Sequence, residues 1–87
     1  MIEILKALAD NTRLLILSEV IKNDMNVSEV QANLNLTFSN VSRHLNILKR
    51  AGIIESYKKA QWTYYKISTK FKTENIELYN YLINKAR

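Results

Sequence analysis

The fold of this 87-residue chain is decided by one stretch, TFSNVSRHLNILKRAG, which runs from Thr37 to Gly52. Val41, Leu45 and Leu48 recur within it at helical spacing, which predicts one buried face of an amphipathic helix. Thr37 can accept from the first free N–H groups of that helix, and Gly52 stands where a left-handed residue commonly ends one. The opposite face is small, polar and basic, and such a face can approach base edges in the major groove.

Positive charge is concentrated in the same part of the chain. The net charge of the whole chain is +5, yet residues 37–72 carry eight Lys and Arg against one Glu, whereas residues 1–36 have a net charge of −2. This confinement favours a polyanionic partner over a general solubility charge. An anionic membrane surface would also attract the segment, but the segment lacks the large apolar face of an interfacial helix. The charge pattern therefore favours nucleic acid, and no membrane association is expected.

Composition indicates a single small domain over residues 1–87. The chain contains no Cys, so it offers neither disulfides nor thiolate ligands for a metal. It has no apolar run long enough for a transmembrane helix and no signal-peptide pattern, so the default expectation is a cytoplasmic protein. Because the sequence has no nucleophile–base pairing, no Gly-rich phosphate loop and no metal-binding cluster, we expect neither an enzyme nor a bound cofactor.

Three helices are predicted before the basic stretch. An apolar stripe in residues 2–9 indicates the first, and Asp10 can cap a second that ends near Asn23. The sequence of residues 26–29, NVSE, fits a capping box at the start of a short third helix. Asn35 is the residue best suited to a left-handed turn before the basic helix. The third and fourth helices then form a helix-turn-helix, whose second helix can enter the major groove.

After the basic helix the periodicity changes. Residues 53–58 and 62–67 are rich in β-branched and aromatic residues and predict a β-hairpin with its turn at residues 59–61. Residues 73–85 predict one long final helix, because four apolar side chains share a broad face: Ile76, Tyr79, Leu82 and Ile83. The predicted fold is therefore mainly α with a small β-hairpin (α+β), in the order of a winged helix-turn-helix.

Four segments of the chain resemble the ArsR/SmtB-type repressors of bacteria and archaea. LADNTRLLIL (residues 8–17) resembles the opening signature of that family, and its Arg13 is expected to form a structural salt bridge near the helix start. SNVSRHLNIL (residues 39–48) resembles the recognition helix, while AGII (residues 51–54) and WTYYKI (residues 62–67) resemble the start and end of the wing. Several matches in the right order are far more specific than any one motif.

The resemblance implies a sequence-specific regulator of transcription, most often a repressor, that binds double-stranded DNA as a homodimer. The operator is expected to have dyad symmetry, with one recognition helix (about residues 38–50) and one basic wing (about residues 53–67) on each half-site. The implied interface lies on the first helix and on the last, a dimerisation helix, and is expected to use six apolar residues: Ile2, Leu5, Ile76, Tyr79, Leu82 and Ile83.

The candidate DNA-binding residues lie on the basic helix and the predicted wing. Arg43 can form a bidentate contact to guanine or bind a phosphate, and the hydroxyls of Ser39 and Ser42 can bond a base edge or a phosphate. For Asn40 the alternatives are adenine and support of the first helical turn. The candidate set has ten members: Phe38, Ser39, Asn40, Ser42, Arg43, His44, Asn46, Lys58, Lys59 and Gln61.

Several of these side chains, and three aromatic neighbours, have a structural alternative. Phe38 can touch a thymine methyl or close over the preceding helix. For His44 a structural hydrogen bond or a phosphate contact is favoured over a ligand role, because the chain has no second His to share a metal. The aromatic residues of the second strand are expected to pack against the helices rather than to stack on single-stranded nucleic acid: Trp62, Tyr64 and Tyr65.

The sequence departs from the family it resembles at the metal sites. Many members have a Cys-x-Cys stretch at the third helix, where this chain has NVSEV at residues 26–30. Other members bind zinc between the last helices of the dimer through Asp and His, but residues 72–87 of this chain contain two Glu and no His. Soft and borderline metals need thiolate or imidazole ligands, so metal sensing is not expected at either site. The wing tip also departs, with Ala60 and Gln61 where Gly and Arg are common.

Two other classes of function stay open from the sequence alone. A winged helix can serve as a protein-interaction module that does not touch DNA, although the basic segment argues against this interpretation. The chain can also be a non-specific architectural DNA-binding protein, in which phosphate contacts dominate. An inducing ligand or protein partner is not indicated by any residue pattern.

Overall fold

The chain forms six helices and a two-stranded hairpin in the computed structural model, which describes residues 1–86. The elements follow in this order: α1 (Ile2–Leu8), α2 (Asn11–Lys22), α3 (Val27–Leu34), α4 (Phe38–Arg50), β1 (Ile54–Lys59), β2 (Trp62–Ile67), α5 (Thr69–Glu74) and α6 (Ile76–Ala86). This order confirms the predicted winged helix-turn-helix.

Side-chain caps start α2, α3 and α4, as the sequence predicts. The Asp10 carboxylate accepts from the backbone N–H three residues later at 3.0 Å. Asn26 and Glu29 form a reciprocal capping box, with distances of 2.9 and 3.0 Å between side-chain oxygens and backbone nitrogens. The Thr37 hydroxyl accepts from the third residue of the following turn at 3.1 Å. Each cap satisfies an N–H that the helix itself leaves free, so the helix starts are fixed locally.

Two left-handed residues bound α4. Asn35 (φ 56°) ends α3 and turns the chain into α4, and Gly52 (φ 80°) follows α4 before the hairpin. A Cβ added to Gly52 would meet no atom within 4 Å, so the backbone conformation rather than crowding favours glycine there. Both left-handed positions confirm the prediction.

The core is built around α2, which packs against α1, α3, α4, α6 and β2. The inner face of α4 contributes Val41, Leu45 and Leu48, all with no exposed surface. They pack with side chains from other elements that are also fully or nearly fully buried: Ile16, Leu17, Val30, Ile53 and Ile54. Burial of this stripe fixes the rotation of α4 about its axis and therefore decides which of its residues face solvent.

The wing is an antiparallel hairpin whose last pair, Lys59 and Trp62, leaves a two-residue turn. The first turn residue, Ala60, has φ 58°. At the other end of the hairpin, Met25 and Tyr65 exchange backbone hydrogen bonds of 3.1 and 2.7 Å. The base of the wing is therefore pinned to the segment between α2 and α3, whereas its tip extends into solvent.

The predicted single C-terminal helix is wrong. The chain instead forms α5 and α6, separated at Asn75, where φ is −133° and ψ is 47°. Ser68 caps α5 by accepting from the Phe71 N–H at 3.2 Å, and the Phe71 side chain is 2% exposed. The short helix serves to insert Phe71 into the core, after which the chain must change direction before α6 can pack on α2.

Candidate nucleic-acid interface

Four predicted residues of α4 form one continuous exposed or half-exposed face: Ser39, Ser42, Arg43 and Asn46. Their spacing places them opposite the buried stripe of the same helix. We call these four residues the outer face of α4. They combine short hydroxyl and amide groups with one guanidinium, which can form hydrogen bonds to base edges or phosphates.

Phe38 and Asn40 flank this face on the first turn of α4. Phe38 is 61% exposed, so it does not close over the preceding helix to any large extent. Asn40 is half-buried, and within the described residues its Oδ1 atom has no hydrogen-bond partner. The Asn40 carbonyl therefore does not support the helix N-terminus, which Thr37 caps instead.

His44 does not lie on the outer face, which corrects its place among the candidate DNA-binding residues. It follows Val41 by three positions and precedes Leu48 by four, and like them it faces the core, with 3% of its surface exposed. Burial lowers the pKa of the imidazole, and the neighbouring guanidinium of Arg43 lowers it further. A neutral, buried ring offers no positive charge to a phosphate, so the structural alternative fits this residue.

Arg13 contacts His44 on α4, the end of α1 and the residue that caps α2. Its Nη1 lies 3.1 Å from His44 Nδ1, and its remaining donors reach the main-chain carbonyls of Ala7 and Lys6 at the end of α1. The expected salt bridge is present as a 3.9 Å contact to Asp10, whose pKa is lowered chiefly by the hydrogen bond from the Arg13 N–H. One guanidinium therefore connects α1, α2 and α4.

Arg43 is the exposed arginine of the pair that flanks His44. Its Nη2 lies 3.4 Å from His44 Nε2, at the long end of hydrogen-bond distances. Within the described part of the chain, no carboxylate lies close enough to form a salt bridge with it. The guanidinium is therefore available to an anionic partner without the loss of an ion pair.

The wing tip presents a basic and aromatic end. Lys58, Lys59 and Gln61 are exposed, as their predicted role requires, and Lys59 pairs across the turn with Trp62. Trp62 was expected to pack against the helices, but it is 46% exposed and stands beside Lys59 on the same face. Trp62 is thus a candidate contact residue that the composition of the strand did not reveal. Its position in the sequence next to the turn could have indicated this exposure, because a residue there is too far from the base of the hairpin to reach the core.

The two tyrosines in the middle of the hairpin have a structural role. Tyr57 and Tyr64 stack with ring centroids 5.8 Å apart, and the Tyr57 hydroxyl donates to Asp24 at 2.6 Å. This hydrogen bond to a carboxylate raises the pKa of the Tyr57 phenol. Tyr65 is half-buried and packs against the core, as the packing interpretation predicts, whereas Tyr64 packs on Tyr57 within the hairpin.

The predicted dimer residues differ in exposure. Ile2, Leu5 and Ile76 are 62%, 51% and 52% exposed, and Met1, which lines a cleft with Ile76, is 68% exposed. We call these four residues the α1–α6 surface. Tyr79 and Ile83 are half-buried, but Leu82 is only 7% exposed and packs in the core of its own protomer, which corrects its assignment to an interface.

Two other properties of residues 1–86 bear on function. None of their helices is both long enough and apolar enough to cross a membrane. They also contain no group of three His, Asp or Glu side chains arranged to hold a metal ion.

Known proteins with similar sequences are regulators of transcription. Residues 10–56 match a family described as "Bacterial regulatory protein, arsR family". The chain is 34% identical over 83 residues to the transcriptional repressor SdpR of Bacillus subtilis, covering 95% of this chain and 92% of SdpR. It is 36% identical over 83 residues to the transcriptional activator HlyU of Vibrio cholerae, covering 95% of this chain and 77% of HlyU.

Solved structures agree with the observed fold. HlyU from Vibrio cholerae superposes with a TM-score of 0.77 at 36% identity, covering 93% of this chain and 88% of the HlyU chain. The homodimeric winged helix-turn-helix DNA-binding domain of Mb0332 from Mycobacterium bovis has a TM-score of 0.80 at 23% identity, covering 95% of this chain and 77% of that domain. At 23% identity, the similarity to Mb0332 shows a shared fold and nothing more.

Proposed function

Since this chain belongs to the arsR family of bacterial regulatory proteins, we propose that it acts on double-stranded DNA as a homodimer that reads an inverted-repeat operator. The single observation that carries the proposal is the outer face of α4, which combines Ser39, Ser42, Arg43 and Asn46 on one exposed surface. This face lies in the segment of residues 37–72, which contains eight Lys and Arg against one Glu. In a helix-turn-helix such a face is the one that enters the major groove.

Arg43 is the residue to which we assign most of the base discrimination. Its guanidinium is exposed, lacks a carboxylate partner in the described residues and is the one charged group of the outer face. A bidentate contact to guanine is the geometry that gives an arginine sequence specificity. The shorter side chains of Ser39 and Ser42 supply hydrogen bonds to neighbouring bases or phosphates.

The wing supplies the second set of contacts. Lys58, Lys59 and Gln61 are exposed at its tip, and Trp62 stands beside Lys59. Two lysines and an amide at the tip of a hairpin suit backbone phosphates or the floor of the minor groove. These contacts add affinity that is sensitive to salt, whereas the outer face of α4 adds the dependence on sequence.

The α1–α6 surface supports the homodimer. It exposes Met1, Ile2, Leu5 and Ile76 on neighbouring elements, and a group of large apolar side chains of this kind marks an association surface. A twofold dimer would place its two α4 helices on half-sites about 34 Å apart, or a multiple of that spacing. We propose repression as the direction of regulation, as in SdpR, while HlyU is named an activator.

The test is selection of bound sequences from a random duplex pool at two salt concentrations. We expect an enriched inverted repeat, and Arg43→Ala should bind it about ten-fold to one-hundred-fold more weakly. Lys70→Ala removes the positive charge of an exposed side chain on α5 and is the matched control, with an expected loss of less than about three-fold.

Three other outcomes would contradict the proposal, and each favours a different function. Binding without enrichment, with a steep dependence on salt, would replace the proposal by non-specific architectural binding. Enrichment of a single half-site without a repeat would contradict binding as a dimer. If no duplex is bound at either salt concentration, the result would favour the alternative function, a protein-interaction module.

A further inference from the structure

Two guanidinium groups face the two nitrogens of one buried imidazole. Arg13 Nη1 lies 3.1 Å from His44 Nδ1, and Arg43 Nη2 lies 3.4 Å from His44 Nε2. His44 is 3% exposed, so water cannot replace either contact freely. Asp10 lies near this group, and its carboxylate contacts Arg13 at 3.9 Å.

An imidazole cannot accept hydrogen bonds from both arginines. A guanidinium carries five N–H donors and no lone pair that accepts, while a neutral imidazole has one accepting nitrogen and an imidazolium has none. Whichever tautomer His44 adopts, one guanidinium meets an acceptor and the other meets an N–H. The arrangement therefore forces a choice between Arg13 and Arg43.

The geometry favours Arg13. Its contact to the ring is the shorter of the two, and its side chain is 12% exposed and fixed by the carbonyls of Lys6 and Ala7. Arg43 is exposed and makes a longer contact. His44 should therefore keep its lone pair on Nδ1 for Arg13 and its proton on Nε2, where that proton opposes the N–H groups of Arg43.

We propose that His44 is a positioning residue for DNA reading, which keeps the guanidinium of Arg43 without an acceptor in the free protein. An arginine bound to its own protein must break that bond before it reaches a base, whereas an unpaired one does not. The inference rests on the proposed function of Arg43 and adds to it a second residue that touches no DNA.

The first experiment reads the tautomer directly, using ¹⁵N NMR of the ring in the free protein at neutral pH. His44 is the only His in the chain, so its two ring nitrogens need no assignment by mutation. We expect a protonated Nε2 and an unprotonated Nδ1, unchanged in Arg43→Ala. An unprotonated Nε2 in the wild type that gains the proton in Arg43→Ala would overturn the proposal, because Arg43 would then be held by the ring.

The second experiment changes the number of acceptors at this position. His44→Gln offers one carbonyl to Arg13 and an NH₂ group toward Arg43, as the ring does, whereas His44→Glu offers two accepting oxygens that can capture both arginines. Binding is measured with a duplex recovered from the random pool. We expect His44→Glu to bind about ten-fold more weakly than His44→Gln, and only about three-fold more weakly when Arg43 is also replaced by Ala.

The double replacement separates capture of Arg43 from the simple addition of a negative charge. An equal difference between the Glu and Gln variants in both backgrounds would overturn the proposal. Circular dichroism checks that both variants are folded, and if either is not, the tautomer measurement decides alone. A protein that binds no duplex would defeat the proposed function, yet the ring tautomer would still show whether His44 leaves Arg43 unpaired.

Discussion

The helix-turn-helix and the wing both present side chains to solvent, but different contacts hold them. In the helix-turn-helix, caps start both helices, an Asn occupies the left-handed turn, and α4 is fixed by a buried stripe and by the Arg13–His44 contact. In the wing, the contacts to Asp24 and Met25 and the tyrosine stack lie at the base and middle of the hairpin, while the tip has an Ala at positive φ and an exposed Trp. The difference shows that α4, to which we assign base reading, is held by more contacts to the rest of the fold than the wing tip is.

Loss of Arg13 would break this comparison most severely. Arg13→Ala removes the donors that join α1, α2 and α4, and we expect the free energy of unfolding in urea to fall by about 3 kcal/mol. Arg43→Ala is the matched control and should change it by no more than about 0.5 kcal/mol, because its side chain is exposed. Equal effects of the two replacements would mean that the Arg13 contacts do not stabilise the helix-turn-helix.

A charge placed on the α1–α6 surface tests whether protomers associate there and whether operator binding through α4 depends on that association. Leu5→Glu places a carboxylate where apolar surface is proposed to be buried, so we expect monomers in sedimentation and operator binding weakened at least about ten-fold. Leu15→Glu is the control, since Leu15 is 54% exposed on α2 against 51% for Leu5 on α1. Dissociation by the Leu15 change alone would move the interface to α2.

Lowering the pH should weaken the helix-turn-helix through His44. Burial and the two guanidiniums lower the pKa of the folded-state imidazole, while Asp10 opposes them, so the unfolded chain binds the proton first as the pH falls below 6.5. The free energy of unfolding should decrease below that pH, by at most about 1.4 kcal/mol per pH unit for one proton. Urea titrations from pH 7.5 to about 5.5 measure this slope, and His44→Gln should lack it.

The smallest effect is expected at the wing tip. Ala60 has φ 58°, a conformation that costs a residue with a Cβ about 1 kcal/mol and costs Gly little, so Ala60→Gly should raise the melting temperature. Asn35→Gly is the comparison inside the helix-turn-helix and should change stability far less, because Asn tolerates left-handed backbone. A larger gain at Asn35 than at Ala60 would reverse the contrast drawn between the two regions.

Local chemistry made α2 to α4 predictable from sequence. Asp10, Asn26 and Thr37 each bond to an N–H three residues away, so their effect does not depend on the rest of the fold. Asn35 and Gly52 likewise act through their own φ angles. The buried stripe of α4 then follows from helical spacing alone, and that spacing also contained the unused signal for His44.

Tertiary packing decided what sequence could not. The division between α5 and α6 depends on Phe71 entering the core, which no nearby residue specifies. Leu82 and Ile76 are both apolar residues of α6, yet one is buried by α2 and the other is exposed, because only the approach of a second helix distinguishes their faces. For Trp62, aromatic content predicted packing, but the length of the hairpin kept it away from the helices.

The contacts of Arg13 link the two surfaces to which we assign the pairing of protomers and the binding of DNA. Its acceptors on α1 are the carbonyls of Lys6 and Ala7, in the same short helix as Leu5, and its partner on α4 is the imidazole that adjoins Arg43. If α1 rotated when two protomers pair, Arg13 would transmit that movement and change the orientation of α4. By thermodynamic reciprocity, DNA that favours one setting of α4 would tighten or loosen the pairing of protomers by the same factor.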